Sequence, residues 1–194
     1  MTEGATPQWT IEDLKRHLQY TVDLELFTIP FYLTALYSIQ DSTSDAYKLI
    51  QSVVIEEMLH LELACNLNRV FGQIPLAKPL AYDYDKGAIP HINEGMDHID
   101  PKLKAQLTPH VIKLGSCSEN TINVMALVEL PEDRTGRQPD MNPSSTEYGS
   151  IGLLYDAVHF GVNQLYETYV NTDISLVQLD GQFLSDFEGR PLQI

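Results

Sequence analysis

The sequence predicts an all-α protein, an up-and-down helical bundle whose second and third long helices are joined by a long irregular crossover connection. Three observations lead there. Apolar side chains recur at helical spacing in four segments, about 10–39, 45–71, 118–129 and 147–170. The first two are separated only by the polar break Asp41-Ser42-Thr43-Ser44, a length that joins antiparallel neighbours in a bundle. Between Gln73 and Gly115 the pattern fades, and Pro75, Pro79, Pro90, Pro101 and Pro109 break any helix, so this stretch is expected to lie over the bundle. The 194 residues fit one domain, 1–194, on the usual prior of roughly 100–200 residues per domain.

The first helix opens at Thr10, which has capping-box spacing to Asp13. At about 100° per residue, Ile11, Leu14, Leu18, Val22, Ile29, Tyr32, Leu36 and Ile39 all lie within about 60° of Glu25, so a carboxylate sits in the middle of an apolar stripe. Pro30 removes one internal hydrogen bond and clashes with the preceding turn, which predicts a kink about one turn after Glu25. The second stripe, Ala46, Ile50, Val53, Val54, Leu61, Ala64 and Phe71, is centred on Glu57 with His60 at its edge, and Gly72 ends it. A shorter helix runs from Ser118 to Glu129 before Pro131, and Pro139, Pro143, Ser144 and Ser145 form a polar linker. The fourth helix begins near Glu147 and carries Tyr148, Ile151, Tyr155, Val158, Val162, Tyr166 and Tyr169 on one face together with His159. The tail 171–194 is expected to be irregular, with a turn at Asp180-Gly181.

Twelve Lys and Arg against 27 Asp and Glu give a net charge of −15, the wrong sign for a phosphate backbone or an anionic membrane surface. Neither nucleic acid nor membrane is an expected partner. The most apolar run, Phe27 to Ile39, falls short of the ~20 residues of a membrane span and is interrupted by Thr28, Pro30, Thr34 and Ser38. Met1 to Pro7 has neither the basic nor the apolar region of a secretory signal, so a cytoplasmic location is expected. Cys65 and Cys117 match no zinc or redox spacing and are read as reduced.

The informative constellation is Glu25 on the first helix and Glu57-Met58-Leu59-His60 on the second. Glu at i and His at i+3 lie one turn apart and aim at the same point, and the facing helix adds a second carboxylate. This is half of the carboxylate-bridged dinuclear site of ferritin-like bundles, in which each half supplies one Glu and one Glu-x-x-His. Carboxylate and imidazole suit iron or manganese rather than a thiolate zinc site. The alternative is a buried polar cluster, but burying two carboxylates without a cation costs several kcal/mol, and neither stripe carries a basic residue to neutralise them.

Local sequence points further. Leu14-Lys15-Arg16-His17-Leu18-Gln19 and the run from Leu24-Glu25-Leu26-Phe27-Thr28-Ile29-Pro30 to Ser38 resemble the ferritin-like domain of the iminophenyl-pyruvate dimer synthase family. The resemblance continues through Val54-Ile55-Glu56-Glu57-Met58-Leu59-His60-Leu61, Gly72-Gln73-Ile74-Pro75, Ile89-Pro90-His91, Val128-Glu129-Leu130-Pro131 and Ser150-Ile151-Gly152-Leu153-Leu154-Tyr155. It implies an oxidative coupling of imino acids derived from aromatic amino acids, in secondary metabolism, with this chain a standalone, shortened relative. Two departures accompany it. Leu153 stands where the resemblance implies a ligand Glu, and the further helix with another Glu and His that the resemblance implies has no counterpart before Ile194. The centre is then mononuclear or lost, or is completed as a dinuclear one by Glu129, Asp156 or His159. Each of these has a plainer reading, Glu129 as a helix end, Asp156 as a solvated acid and His159 as a tucked, hydrogen-bonded imidazole.

The inward tyrosines, Tyr32, Tyr155, Tyr166 and Tyr169, are read as core packing. His91, Glu94, Asp97 and His98 are read as a solvated part of the connection. No residue is assigned as catalytic, and no organic cofactor is called for. Three functions compete: an iron-dependent (or manganese-dependent) oxidase of small, aromatic amino-acid-derived molecules, a ferroxidase or iron-handling protein, and a degenerate module for packing or docking. A homodimer would cover apolar faces that so short a bundle leaves open.

Overall fold

The computed structural model describes residues 8–76, 84, 87–93, 96–130 and 141–166. They form five helices: α1 (Ile11–Tyr37), α2 (Asp45–Val70), α3 (Pro101–Gln106), α4 (Glu119–Val128) and α5 (Ile151–Leu165). The architecture is an all-α helical bundle with a long crossover between α2 and α4. No helix among the described residues is long and apolar enough to cross a membrane. Cys65 and Cys117 are free thiols, both half-buried.

The helix ends follow from local chemistry. The Thr10 hydroxyl accepts from the Asp13 amide at 3.2 Å while the Asp13 carboxylate accepts from the Thr10 amide at 3.0 Å, a complete capping box. Ser44 caps α2, and Gly72, just past its C-cap Phe71, takes a φ of 70° that favours glycine. The α1 helix continues through Pro30. It packs against α2 and against α5. The α1–α2 pair is antiparallel: Thr28 meets Glu57, and further along Asn68 Nδ2 donates to the Leu18 carbonyl at 2.8 Å.

The core runs along α1. Phe27, Phe31, Tyr32, Leu14, Leu18 and Leu24 are fully enclosed, joined by Leu127 of α4 and Leu154 of α5. Trp9 ties the start of α1 to α5, its amide donating to Gln164 Oε1 at 2.6 Å and its indole NH to the Met141 carbonyl at 2.9 Å. The indole lies so close to Gly161 that a Cβ there would fall 2.5 Å from the ring. This is a contact only glycine permits.

Two expectations need correction. The connection holds a helix after all, because Pro101 stands at the N-terminus of α3, where the missing N–H costs nothing, and Asp100 accepts from the amides of Lys102 and Leu103 at 2.7 and 3.1 Å. The last helix starts at Ile151 rather than Glu147. Residues before it are extended, since the Tyr148 amide donates to the His91 carbonyl and the Asn93 amide to the Tyr148 carbonyl, both at 2.8 Å, and Ser150 then caps α5. His91 is therefore no solvated loop residue: it also stacks on Tyr20 at 3.9 Å and pairs with Asp23 at 3.2 Å. Glu94, Tyr169, the end of the fourth helix at 170 and the tail with its Asp180-Gly181 turn lie outside the described residues.

Candidate metal centre

Midway along the α1–α2 seam, helix geometry sets three ligand-type side chains around one point. Glu25 and Glu57 are 5% and 4% exposed, and His60, one turn beyond Glu57, has a side chain 48% exposed. His60 Nδ1 stands 3.4 Å from Glu57 Oε1 and 3.8 Å from Glu25 Oε2. One donor atom from each of the three lies within 4.8 Å of the others, a set able to hold a metal ion.

The other oxygen of each carboxylate is taken by a hydroxyl. Tyr155 of α5 donates to Glu25 Oε1, and Thr28, one turn after Glu25, donates to Glu57 Oε2 while also lying 2.9 Å from the Glu25 carbonyl. The group opens into a cavity of about 550 Å3 whose apolar wall includes Leu63, Leu67, Val128, Leu130 and Ile151. None of the described residues lining it is Lys or Arg.

Electrostatics follow from that composition. Burial pushes the Glu25 carboxyl up to about 7, assisted by the charges of Glu57 and Glu129 and opposed by the Tyr155 hydrogen bond and by His60. Glu129 is raised too, chiefly by burial and then by Glu57, against the hydrogen bond it accepts from Tyr32 at 2.9 Å. Tyr155 and Tyr32 are held far above the ordinary phenol range, first by burial and then by these carboxylates, so both remain hydroxyl donors.

The candidate residues separate cleanly. Glu25, Glu57 and His60 converge, and Glu129 lines the same cavity from the C-terminal end of α4, outside the three-residue group. Asp156 and His159 do not line it. Asp156 is turned about 100° from Tyr155, and His159 lies one turn further along α5, exposed, with Nε2 2.9 Å from Asn163 Nδ2. Leu153 is buried in the core and absent from the cavity wall, so the α5 residue that reaches the carboxylates is Tyr155. Of the tyrosines read as core, Tyr32 is buried and Tyr166 is exposed. Sequence reasoning missed Thr28, whose one signal was its position a turn after Glu25.

Comparison with known proteins agrees with this architecture. The family model described as ferritin-like matches residues 18–188. A crystal structure of a ferritin-like protein from Caulobacter vibrioides superposes with a TM-score of 0.75 at 44% sequence identity, over 82% of this chain and 55% of that one. The chain thus spans about half the length of that protein. No protein of curated function matches. A helical bundle with Glu25, Glu57 and His60 gathered on its first hairpin, matched over residues 18–188, belongs to the ferritin-like family.

Proposed function

We propose that this chain is a metal-dependent oxidase in which Glu25, Glu57 and His60 hold one iron or manganese ion and a small, largely apolar molecule occupies the adjoining cavity. The observation that carries it is a donor set of two buried carboxylates and one imidazole, with no Lys or Arg among the described residues of the cavity wall. Two such carboxylates repel each other and are poorly solvated, and a divalent cation relieves both costs. An oxygen-and-nitrogen donor set of this kind suits redox-active iron or manganese, which would supply one-electron chemistry with dioxygen or peroxide. The protein's part is to orient and exclude water. Leu63, Leu67, Val128, Leu130 and Ile151 provide an apolar wall, and about 550 Å3 is within the usual range for a small-molecule site. Glu129, held by Tyr32 and protonated further up in pH than a solvated carboxylate, is placed to exchange a proton with a molecule in the cavity. The aromatic amino-acid-derived substrate rests on the likeness of the runs around Glu25 and Glu57 to the iminophenyl-pyruvate dimer synthases.

Elemental analysis of protein purified without chelator tests this. The parent is expected to hold about one iron or manganese ion per chain and to consume oxygen with a small aromatic 2-imino acid, and Glu57→Ala and His60→Ala are expected to lose both. A folded parent that takes up neither metal after reconstitution ends the proposal. A second reading, a docking module, has one observation in its favour: Leu49 and Leu63 on α2 are 68% and 55% exposed. It predicts the metal-free outcome.

A further inference from the structure

Each carboxylate of the candidate centre presents its two oxygens to different partners. Glu25 accepts the Tyr155 hydroxyl at Oε1 and turns Oε2 toward His60 Nδ1. Glu57 accepts the Thr28 hydroxyl at Oε2 and turns Oε1 toward the same nitrogen. The atoms left over, one per residue, are those that converge. A carboxylate free of such partners can swing to chelate an ion with both oxygens, whereas one whose outer oxygen is engaged by a fixed hydroxyl offers only the inner one. Both donors are well fixed. Thr28 is fully buried on α1, one turn from Glu25, and Tyr155 reaches in from α5 to Glu25 Oε1.

We propose that Tyr155 and Thr28 are positioning residues that make Glu25 and Glu57 single-oxygen ligands, and so keep coordination positions open toward the cavity. This rests on the metal reading above. It goes beyond that reading by assigning the geometry of the centre to two hydroxyls that touch no ion themselves. Tyr32 plays the parallel part for Glu129, engaging its Oε1 and holding it at the wall.

The test compares the parent with Tyr155→Phe, Thr28→Val and Thr28→Ser, using cobalt(II) as a spectroscopic probe and manganese(II) titration for affinity. The phenyl and valyl variants preserve shape while removing the hydroxyl, and the seryl variant restores it. Loss of either hydroxyl is expected to weaken manganese binding by about 10–100-fold. It is also expected to lower the intensity of the cobalt visible bands, as a chelating carboxylate raises the coordination number, while Thr28→Ser keeps the parent spectrum. Thermal melts establish that each variant is folded. Unchanged affinity and spectrum in both variants overturn the inference while leaving the metal centre standing. Weaker binding with an unchanged spectrum overturns it as well, because a merely structural role would give that result. A parent that binds neither ion overturns the metal reading and this inference together.

Discussion

The two helices of the first hairpin are nearly equal in length, 27 and 26 residues, and each places one carboxylate in the site, yet α1 buries thirteen residues and α2 only six. The difference comes from position. α1 is packed by α2 on one flank and by α5 on another, whereas the principal neighbour of α2 among the described residues is α1. Glu25 and Glu57 are both buried, with the Glu25 carboxyl perturbed, while His60 on α2 remains half open to the cavity. Stability and access are thus divided between partners that share one ligand set. The candidate centre therefore lies between a helix packed on two flanks and one whose outer face is more exposed.

The sharpest way to break this comparison is to damage the sealed side. Phe31 is 1% exposed and sits with Phe27 at 6.4 Å and Tyr32 at 5.9 Å between ring centroids. Phe31→Ala is expected to cost about 3–5 kcal/mol, through lost transfer energy and the cavity left behind, read as a shift in the urea midpoint at constant slope. A cost under about 1 kcal/mol would mean that α1 is not the central element.

The next effect is one of pH, in metal-free protein. Folded Glu25 titrates near 7, against 4.5 for its ordinary value. Between those values the folded state binds the extra proton, so this group's contribution to stability falls as pH rises from about 4.5 to about 7. His17 works in the opposite sense. Burial lowers its pKa from 6.5, so the folded state resists protonation and stability is lost as pH falls below that value. Thermal melts of the parent and of Glu25→Gln across this range separate the two, since the variant keeps His17 and removes the slope that centres on Glu25. The difference between them is expected to reach a few kcal/mol and to reverse on adding manganese, which favours the charged carboxylate. Parallel curves would show that Glu25 ionises as freely as a solvated acid.

Legibility in the sequence tracked the range of the interactions. The cap at Thr10, the polar break before Asp45 and the stop at Gly72 act within a few residues, and α1, α2 and α4 could be placed from them and from periodicity. The beginning of α5 could not. It is set by the pairing of Ile92 with Tyr148, remote in sequence, so the inward stripe read from Glu147 continued through backbone that is extended. Pro101 was misread for a different reason, since a proline that breaks a helix interior also suits a helix start. At the site, angular arithmetic on Glu25, Glu57 and His60 needs only helix geometry and the pairing of two adjacent helices. The hydroxyls of Thr28 and Tyr155 act across 29 and 130 positions, and beyond the place of Thr28 one turn after Glu25 nothing in local pattern distinguishes them from packing residues.

The smallest predicted effect tests the open side. Leu63 lines the cavity yet is 55% exposed, and Leu49 lies on the same side of α2, four turns earlier at ~3.6 residues per turn, 68% exposed. If α2 meets solvent there, Leu63→Ala and Leu49→Ala remove little buried surface, and each is expected to change unfolding free energy by no more than about 0.5 kcal/mol. The same variants discriminate sharply if a second copy of the chain covers this flank. A leucine then buried between copies contributes about 1.5–3 kcal/mol of apolar transfer, and the loss would depend on protein concentration because association is linked to stability. Denaturant midpoints measured at low and high protein concentration, beside sedimentation of the parent, read both quantities at once. Independence from concentration, with changes within about 0.5 kcal/mol, fixes α2 as the solvent side of the hairpin. A concentration-dependent loss would move the asymmetry between α1 and α2 from the single chain to an assembly in which both helices are covered.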